Sequence, residues 1–420
     1  MREATKAPKI SFYDYIVIGG GTTGIPLATT LSANYSVLLL ECGGSPYGNP
    51  NITSISNFGS YLMDTSPTSP SQQFISEGVV NARPRVLGGG TSINAGFYSR
   101  RSRPLSCGVV FRDSLGIKHR AYLRGRKNDE IILSAGALGS PQLLVLSGIG
   151  PKEQLDAQKI KAVLTQPFVG KGMADNPQNP IFVPSPIAVE QSLIQVVGIT
   201  RFGSYIEGIG GYNIIFENPS SYQGFFPQMG GFIFVKPDGP LSMGELRIEN
   251  SNPADNPSVT FNYFKEPEDL QKCVDGIRTI LKVVETKAFS NYKYANMTVK
   301  DILDLNMKLP MNLREHGNTS SSLEQYCKDT VRTIYHYHGG CHIEKVVSPE
   351  YKVFGVDALR VIDGSTLLNS PGTNPQASLL MLGSCRQTIT TGLRYRPTSV
   401  EVRDDEDKGR EIGEKRCGRS

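Results

Sequence analysis

Short apolar runs separated by polar stretches mark this chain, and they are most regular near its start. Tyr15–Ile18 and Val37–Leu40 are continuous apolar runs, which is the pattern of strands buried on both faces of a parallel sheet. Between them, a glycine-rich stretch over residues 19–24 leads into an apolar segment long enough for a short helix. The pattern therefore predicts a strand, a glycine turn, a helix and a second strand that ends at Glu41.

The sequence of this turn, G-G-G-T-T-G, matches the dinucleotide-binding pattern G-x-G-x-x-G. Gly19 permits a tight turn, Gly21 lets the backbone approach a pyrophosphate, and Gly24 lets the helix pack closely on the strand. The helix N-terminus offers free N–H groups and about half a positive charge to the phosphates. Glu41 can accept hydrogen bonds from an adenosine ribose. These features predict a site for NAD or FAD rather than a glycine turn without a ligand.

Two further helix starts follow from local residue preferences. Residues 131–133 predict a buried strand, and Ser140 with Pro141 is a favourable N-cap pair for a helix that follows. Asn374 with Pro375 is a similar pair, for an apolar helix from residue 377. The remaining predicted elements are strands at 230–234, 245–248, 259–263 and 359–362 and a helix over 266–284.

Composition narrows the class of protein. With 420 residues, the chain is long enough for two or three domains, and 44 glycines and 27 prolines favour a loop-rich α/β enzyme. The net charge of +5 is spread along the chain, so a nucleic-acid partner is not expected. No apolar run reaches a membrane-spanning length, and no signal peptide is expected at the N-terminus. Seven cysteines without a C-x-x-C pair argue against a zinc or thioredoxin-like motif.

Two later segments carry a family resemblance. Residues 83–98 read RPRVLGGGTSINAGFY, and residues 136–150 read GALGSPQLLVLSGIG. They resemble the paired signatures of glucose-methanol-choline (GMC) oxidoreductases, although Pro84 stands where the family usually has a small residue. The chain is most similar to the plant branch that contains HOTHEAD-like and mandelonitrile-lyase-like proteins. The resemblance runs from about Tyr13 to Gly383, and it implies that the cofactor is FAD.

The resemblance also implies the fold and the cofactor site. The expected fold is an α/β FAD-binding Rossmann-like domain of the GMC and glutathione-reductase type, with an α+β substrate domain that contains an antiparallel sheet. The FAD domain is expected over 10–174 and 335–383, and the substrate domain over 175–334. The residues implied at the cofactor are Gly19, Gly21, Thr22, Thr23, Gly24, Glu41, Val86, Gly90, Thr91, Asn94, Ala95, Gly96, Phe97, Tyr335, Asp363, Gly364, Asn374, Pro375 and Gln376.

A histidine-rich segment, residues 333–342, carries the candidate chemistry. Imidazoles and a cysteine are metal-ligand types, but their spacing here fits no standard metal motif. By resemblance, His336 aligns with the catalytic base and Asn374 with the second catalytic residue, while His338 and His342 are interpreted as structural and satisfied by hydrogen bonds. Neutral His336 would take the hydroxyl proton of an alcohol as hydride passes to the flavin, and Asn374 would donate to the developing alkoxide.

The chain departs from the family pattern in three places. A long block is missing after Tyr98, a shorter piece is missing near residues 225–230, and the match stops at Gly383, leaving a tail over 384–420 that is predicted to be disordered. The leading hypothesis is oxidation of an apolar alcohol, with long-chain ω-hydroxy fatty acids as the class that HOTHEAD-like relatives imply. The alternatives are a hydroxynitrile lyase on the same FAD fold and a truncated, non-catalytic product. Family members are typically secreted, which leaves the compartment of this chain open.

Overall fold

The computed structural model describes the greater part of the chain. The described residues are 4–47, 49, 52, 64, 66, 69–93, 108–126, 128–190, 192, 194, 197–211, 230–309, 311–372 and 374–384. The predicted cofactor residues Asn94, Ala95, Gly96 and Phe97 lie outside this set, as does almost all of the tail predicted to be disordered.

Among the described residues, short strands dominate the first half of the chain, and most of the α-helices lie in the second half. The strands are β1 (Ile10–Tyr13), β2 (Tyr15–Ile18), β3 (Val37–Leu40), β4 (Ser71–Ser76), β5 (Val79–Pro84), β6 (Gly108–Arg112), β7 (Lys118–Leu123), β8 (Glu130–Leu133), β9 (Ile149–Gly150), β10 (Leu164–Thr165), β11 (Lys171–Met173), β12 (Pro177–Pro184), β13 (Val197–Ile199), β14 (Ser204–Gly210), β15 (Gly230–Pro237), β16 (Gly244–Arg247), β17 (Ser258–Val259), β18 (Arg332–Thr333) and β19 (Leu359–Val361). The α-helices are α1 (Gly24–Ser32), α2 (Gly136–Leu146), α3 (Lys152–Ala157), α4 (Pro267–Val284), α5 (Val299–Met307), α6 (Leu323–Asp329) and α7 (Gln376–Ser384).

A four-stranded parallel sheet in the order β19-β8-β2-β3 forms the first large layer. Its two faces follow the alternation of side chains along each strand. On one face, Val17 and Ile132 pack against Leu27 of α1. On the other face, Ile16 and Ile131 pack in a cluster that includes residues of α2. Both faces are covered, which explains why β2 and β3 are apolar at every position, while the buried charges Glu130 of β8 and Arg360 of β19 pair with each other at 2.9 Å.

A five-stranded antiparallel sheet in the order β13-β14-β15-β12-β18 forms the second large layer. One face packs against α4, where Val235 and Ile181 meet Ile277 in the largest apolar cluster. The opposite face carries Phe232 and Phe234 of β15, which alternate with the residues that meet α4. A disulfide between Cys273 of α4 and Cys327 of α6 closes the helical layer over the sheet.

Smaller sheets complete the described part of the chain. Their strand orders are β1-β7-β6, β11-β16-β17, β4-β5 and β10-β9. Among the described residues, every helix is too short or too polar to cross a bilayer. The compact unit spans Met1–Arg386 and is not divided between the two expected domains, whose boundaries stay a prediction.

Most of the predicted elements are present, but two local predictions are wrong. Helix α2 begins at Gly136, so Ser140 and Pro141 lie inside it rather than at its start. The Ser140 hydroxyl does not cap the helix that was expected, because it donates to Asp363 Oδ2 at 2.5 Å and accepts from Ala135 N–H. The strand predicted over 259–263 ends after two residues, because Asn262 adopts a left-handed backbone conformation with φ of 55°.

Candidate active site

The glycine turn after β2 is built by close backbone approach. Gly19 has φ of +100° and donates its N–H to Leu40 O at 2.8 Å, which joins the turn to the end of β3. At Gly24, an added Cβ would lie 1.8 Å from Gly19 O. The turn therefore requires glycine at both positions, and α1 begins directly against the strand end, as the sequence predicts.

Glu41 closes this turn from the end of β3. Its Oε2 accepts from Gly20 N–H at 2.8 Å, and its Oε1 accepts from Gly43 N–H at 2.8 Å. Oε1 also accepts from Cys42 Sγ at 3.6 Å, whereas Oε2 can accept a further hydrogen bond, so the side chain is held in place and keeps capacity for a ribose hydroxyl. The structure thus places Glu41 where the dinucleotide-binding pattern expects the acidic residue.

Three distant segments meet at the turn. Gly20 O accepts from Gly88 N–H at 2.7 Å, and Thr22 and Thr91 share a hydrogen bond between their hydroxyls at 2.7 Å. Gln376, the first residue of α7, donates from Nε2 to Thr91 Oγ1 at 3.1 Å. Helix α7 also contacts the turn directly, because Thr23 Oγ1 donates to Leu379 O at 3.4 Å. At the start of this helix, Leu379 N–H donates to Pro375 O at 2.9 Å. On the other side of the junction, buried Val86 forms a parallel β-bridge with Gly44.

Beside this junction, two glycines have open space where a side chain would be. A Cβ at Gly90 would meet no atom within 4 Å, and one at Gly21 would meet only Gly89 Cα, at 3.8 Å. These two glycines are therefore not required by packing against the described part of the protein. Their lack of side chains fits a site where a flat or phosphorylated group lies against main-chain N–H groups.

Asp363, at the end of β19, ties the sheet to the start of α2. Its carboxylate accepts from Gly136 N–H at 2.8 Å, from Ser140 Oγ at 2.5 Å and from Ser365 N–H at 2.8 Å. Burial raises the pKa of this carboxyl above its usual value, and the hydrogen bonds oppose that rise. Gly364 O accepts from Gly339 N–H at 3.0 Å, which brings the histidine-rich segment to this strand end.

His336 lies on a loop rather than on a strand, since β18 ends at Thr333. Its backbone N–H donates to Asp175 Oδ1 at 3.1 Å, and its Nδ1 lies 3.4 Å from the side-chain amide of Asn176. The preceding residue, Tyr335, has φ of 63° and donates its N–H to Thr333 Oγ1 at 2.8 Å. A left-handed conformation at a bulky residue is uncommon and costs free energy, so the surrounding contacts hold the imidazole in a defined place.

Burial and charge keep His336 neutral. Desolvation lowers the pKa of its imidazole well below 6.5, and the nearby charges of Lys236 and His338 lower that pKa further. The amide of Asn176 also reaches Ser370 Oγ at 2.9 Å, while its Oδ1 has no partner among the described residues. If this amide is turned by 180°, Oδ1 accepts from both Ser370 Oγ–H and His336 Nδ1–H. When the hydrogen of the neutral His336 ring is on Nδ1, Nε2 is the basic nitrogen.

Asn374 contacts the buried side chain of Lys236, a residue that was not predicted to lie in the site. Lys236 Nζ donates to Asn374 Oδ1 at 3.4 Å, and it lies 3.9 Å from Glu207 Oε1 and 4.9 Å above the ring of Tyr205. The Lys236 side chain is fully buried and that of Glu207 is 5% exposed. Burial lowers the pKa of the lysine and raises that of the carboxyl, while their mutual attraction opposes both shifts.

A weak signal for this pair exists in the sequence. Glu207 stands in the strand SYIEGIG and Lys236 in the apolar strand GGFIFVKP, where a charge is costly unless it has a partner or a function. The N-cap role predicted for Asn374 is also revised. Helix α7 begins at Gln376, and the Asn374 side-chain oxygen accepts from Lys236 rather than from the helix backbone.

The structural interpretation of the other two histidines is only partly correct. His338 Nδ1 lies 3.0 Å from His336 O, so one ring nitrogen is bonded as expected. The Nε2 atoms of His338 and His342 are buried and have no hydrogen-bond partner among the described residues. The prediction that hydrogen bonds satisfy each ring is therefore wrong for these two atoms.

Comparison with known proteins places this site in a family. Profiles described as GMC oxidoreductase match residues 102–178 and 240–383. Protein HOTHEAD of Arabidopsis thaliana is 41% identical over 516 residues, which covers 89% of this chain and 87% of that protein. This chain belongs to the GMC oxidoreductase family. The alignment with HOTHEAD is longer than the 420 residues of this chain, so HOTHEAD carries residues that have no counterpart here.

Other members and solved structures agree with this assignment. An (R)-mandelonitrile lyase-like protein of Arabidopsis thaliana is 35% identical, and the alignment covers 90% of each of the two chains. Sinalpyl alcohol oxidase Nec3 of Nesocodon mauritianus is also 35% identical, and its alignment covers 91% of this chain and 89% of that protein. A formate oxidase structure shares the fold, with a TM-score of 0.71 at 17% identity over 92% of this chain and 99% of its own. The predicted family, fold class and FAD dependence are confirmed, and the protein is an FAD-dependent oxidoreductase.

The described residues fit FAD. The glycine turn, Glu41 and α1 provide the dinucleotide half of the site, and the loop around Gly90 together with the start of α7 continues it. When bound, FAD supplies an acceptor for a hydride. The chain itself supplies a neutral imidazole at His336 and an oriented amide at Asn374.

Proposed function

We propose that this GMC oxidoreductase oxidises an apolar alcohol, with His336 as the base and Asn374 as the hydrogen-bond donor to the alcohol oxygen. The observation that carries the proposal is the network around the two residues. Asn176 bridges His336 to Ser370, on the loop that leads to Asn374, and Lys236 bonds Asn374 while its charge lowers the pKa of His336. A neutral base and a fixed donor are what removal of a hydroxyl proton requires.

The residue roles follow from protonation. His336, in the tautomer with hydrogen on Nδ1, accepts the hydroxyl proton at Nε2, and the backbone bond to Asp175 holds the ring in position. Asn374 Nδ2 donates to the oxygen as negative charge develops on it. Lys236 Nζ contacts the other end of the same amide, at Oδ1.

An apolar substrate is supported by the sheet surface beside Lys236. Phe232, Phe234 and Lys236 alternate along β15 and therefore share a face. The two phenylalanines cluster with Phe182 and Ile209, and the rings of Phe182 and Phe232 lie 4.9 Å apart. The cluster is itself buried, with Leu309 and Met311 packed in it, so its apolar character beside Lys236 is what favours an apolar substrate. Long-chain ω-hydroxy fatty acids are the class we propose. The name of Sinalpyl alcohol oxidase Nec3, a relative, supports alcohol oxidation more generally.

The proposal is tested by the absorbance of the holoenzyme. The purified chain is incubated with FAD, desalted and mixed without air with 16-hydroxyhexadecanoate or with hexadecanoate as the matched compound that lacks the alcohol. We expect the hydroxy acid alone to bleach the flavin bands. Flavin that is retained but is bleached by neither this acid nor shorter and aromatic alcohols contradicts the proposal.

A hydroxynitrile lyase is the second candidate, and Lys236 is the observation that favours it. Departing cyanide needs positive charge nearby, and this buried ammonium lies beside Asn374. Mandelonitrile added to the holoenzyme separates the two functions, because a lyase releases cyanide and benzaldehyde without bleaching the flavin. Cyanide release at a rate well above that of a His336→Ala variant would favour the lyase.

A further inference from the structure

Lys236 and Asn374 form a contact whose chemistry constrains one atom of the active site. A lysine ammonium donates hydrogen bonds and accepts none, whereas the two ends of an asparagine amide are an acceptor and a donor. The atom of Asn374 that faces Lys236 at 3.4 Å must therefore be Oδ1. The reverse orientation would place the Nδ2 donor against a buried cation.

The lysine is itself held in a defined place. Glu207 and Tyr205 lie on the neighbouring strand β14, and the backbone register pairs Tyr205 directly with Lys236. The carboxylate lies 3.9 Å from the ammonium and the ring lies 4.9 Å from it, so the charge has a partner on the sheet as well as on the α7 side. The strand therefore presents Nζ to Asn374 from a rigid element.

We propose that Lys236 is the positioning residue for Asn374: its ammonium holds Oδ1 and thereby points Nδ2 at the substrate oxygen. This inference rests on the proposed function, because it assigns Nδ2 to the alcohol. It assigns no contact between Lys236 and the substrate. Without the lysine, the amide has no charge to select one orientation, and the donor is correctly placed in only part of the population.

A double-mutant cycle in the holoenzyme tests the inference. Lys236→Met keeps the length of the side chain and removes its hydrogen-bond donors, and we expect kcat to fall about 10- to 100-fold, within the range for a misplaced donor to a developing oxyanion. Asn374→Ala should cause a loss at least as large. In the Asn374→Ala background, Lys236→Met should change kcat by less than about twofold, because its effect passes through the missing amide. Additive losses would overturn the inference.

A binding measurement repeats the cycle without turnover. The probe is 2-methyl-2-dodecanol, a tertiary alcohol that offers the hydroxyl oxygen but has no hydrogen on its carbinol carbon to transfer. Calorimetry should show that Lys236→Met weakens binding about 10-fold in the wild-type background and has no effect without Asn374. If Lys236→Met weakens binding only when Asn374 is present, but the enzyme oxidises no alcohol, the proposed function is rejected and the positioning role is retained. Independent effects on binding would reject the positioning role.

Two further variants separate positioning from general stability. Asn374→Asp keeps an oxygen for Lys236 and removes the Nδ2 donor, so it should fold, retain FAD and lose activity to the level of Asn374→Ala. Retained activity in this variant would contradict the inference, and it remains informative even if Lys236→Met folds poorly. Lys272→Met is the matched control, since Lys272 pairs with Asp238 at 3.0 Å on a more exposed part of the same layer. The control should keep kcat within about twofold.

Discussion

The nucleotide side and the substrate side of the candidate active site are formed by different kinds of groups. The nucleotide side is largely main chain: Gly19, Gly24 and the loop before Thr91 meet through backbone hydrogen bonds and close approaches, and Glu41 adds a charged side chain. The substrate side is made of buried polar side chains, among which Lys236 is fully buried. The nucleotide side binds FAD, the cofactor shared by the family. The substrate side sets the charge and protonation of the groups proposed to act on the substrate.

The difference teaches where substitutions act. At Gly19 and Gly24 on the nucleotide side, an added methyl group collides with backbone that cannot move without unfolding the turn, so the expected effect at these two positions is all or none. On the substrate side, a changed side chain alters charge, protonation or orientation while the sheet stays folded. Four measurements test this contrast, and the expected effect on activity falls from the first to the last.

Gly24→Val should abolish cofactor binding. The new Cβ would lie 1.8 Å from Gly19 O, so either the turn or the start of α1 must shift. The measurement is flavin absorbance relative to protein absorbance after incubation with FAD and desalting. Gly44→Ala is the matched control, since its Cβ would meet nothing within 4 Å and flavin should be retained. Full retention in Gly24→Val would show that the two sides tolerate change equally.

His336→Ala should keep the flavin and lose the reaction. Removal of a general base lowers kcat by about 10²- to 10⁴-fold, while the glycine turn is untouched. Steady-state rates and the flavin spectrum of the same preparation measure both effects. His316→Ala serves as the control, because that histidine is only partly buried and the bond given for its ring among the described residues, from Nδ1 to Gly317 O at 3.0 Å, is local. A loss of flavin together with activity would mean that His336 supports the cofactor side instead.

The pH profile should reveal the charge on the substrate side. Burial, and then the Lys236 charge, lower the pKa of His336 well below 6.5, so its basic form persists into acid solution. The acid limb of kcat/KM should therefore lie below pH 6.5, and it should move to higher pH in Lys236→Met, where the repelling charge is gone. An unchanged limb in that variant would show that the lysine charge does not reach the imidazole.

The disulfide should matter for stability more than for activity. Cys273 and Cys327 are separated by 54 residues and join α4 to α6 behind the antiparallel sheet. Replacing both by serine should lower the free energy of unfolding by about 2–5 kcal/mol, while kcat at low temperature changes little. Urea unfolding measures the first quantity. Cys42→Ser, at an exposed free cysteine, should leave the unfolding midpoint where it is.

The contrast also explains which features could be predicted from the sequence. The turn at Gly19–Gly24 follows local rules that need only residues close together in the chain, so strand, turn, helix and acid were all found. Ser140 obeys such a rule too, but its hydroxyl is bonded to Asp363, 223 residues away, and the predicted cap was wrong. The approach of Lys236 to Asn374 spans 138 residues, and only the paired strands bring it about. His336 was assigned through family resemblance, and its catalytic role stays a prediction.

The parallel sheet of the nucleotide core takes its edge strand from very far along the chain. β19 pairs with β8 through Leu359 and Ile131, although residues of the other large sheet lie between them in sequence. During synthesis, this edge is therefore open from the time β8 has emerged until residues 359–361 have left the ribosome, an interval of roughly 10–45 s at ordinary elongation rates. A nascent chain that has completed its glycine turn still exposes an unpaired strand for much of that time. The order in which the strands are made therefore leaves an unpaired strand edge available to other chains until β19 is complete.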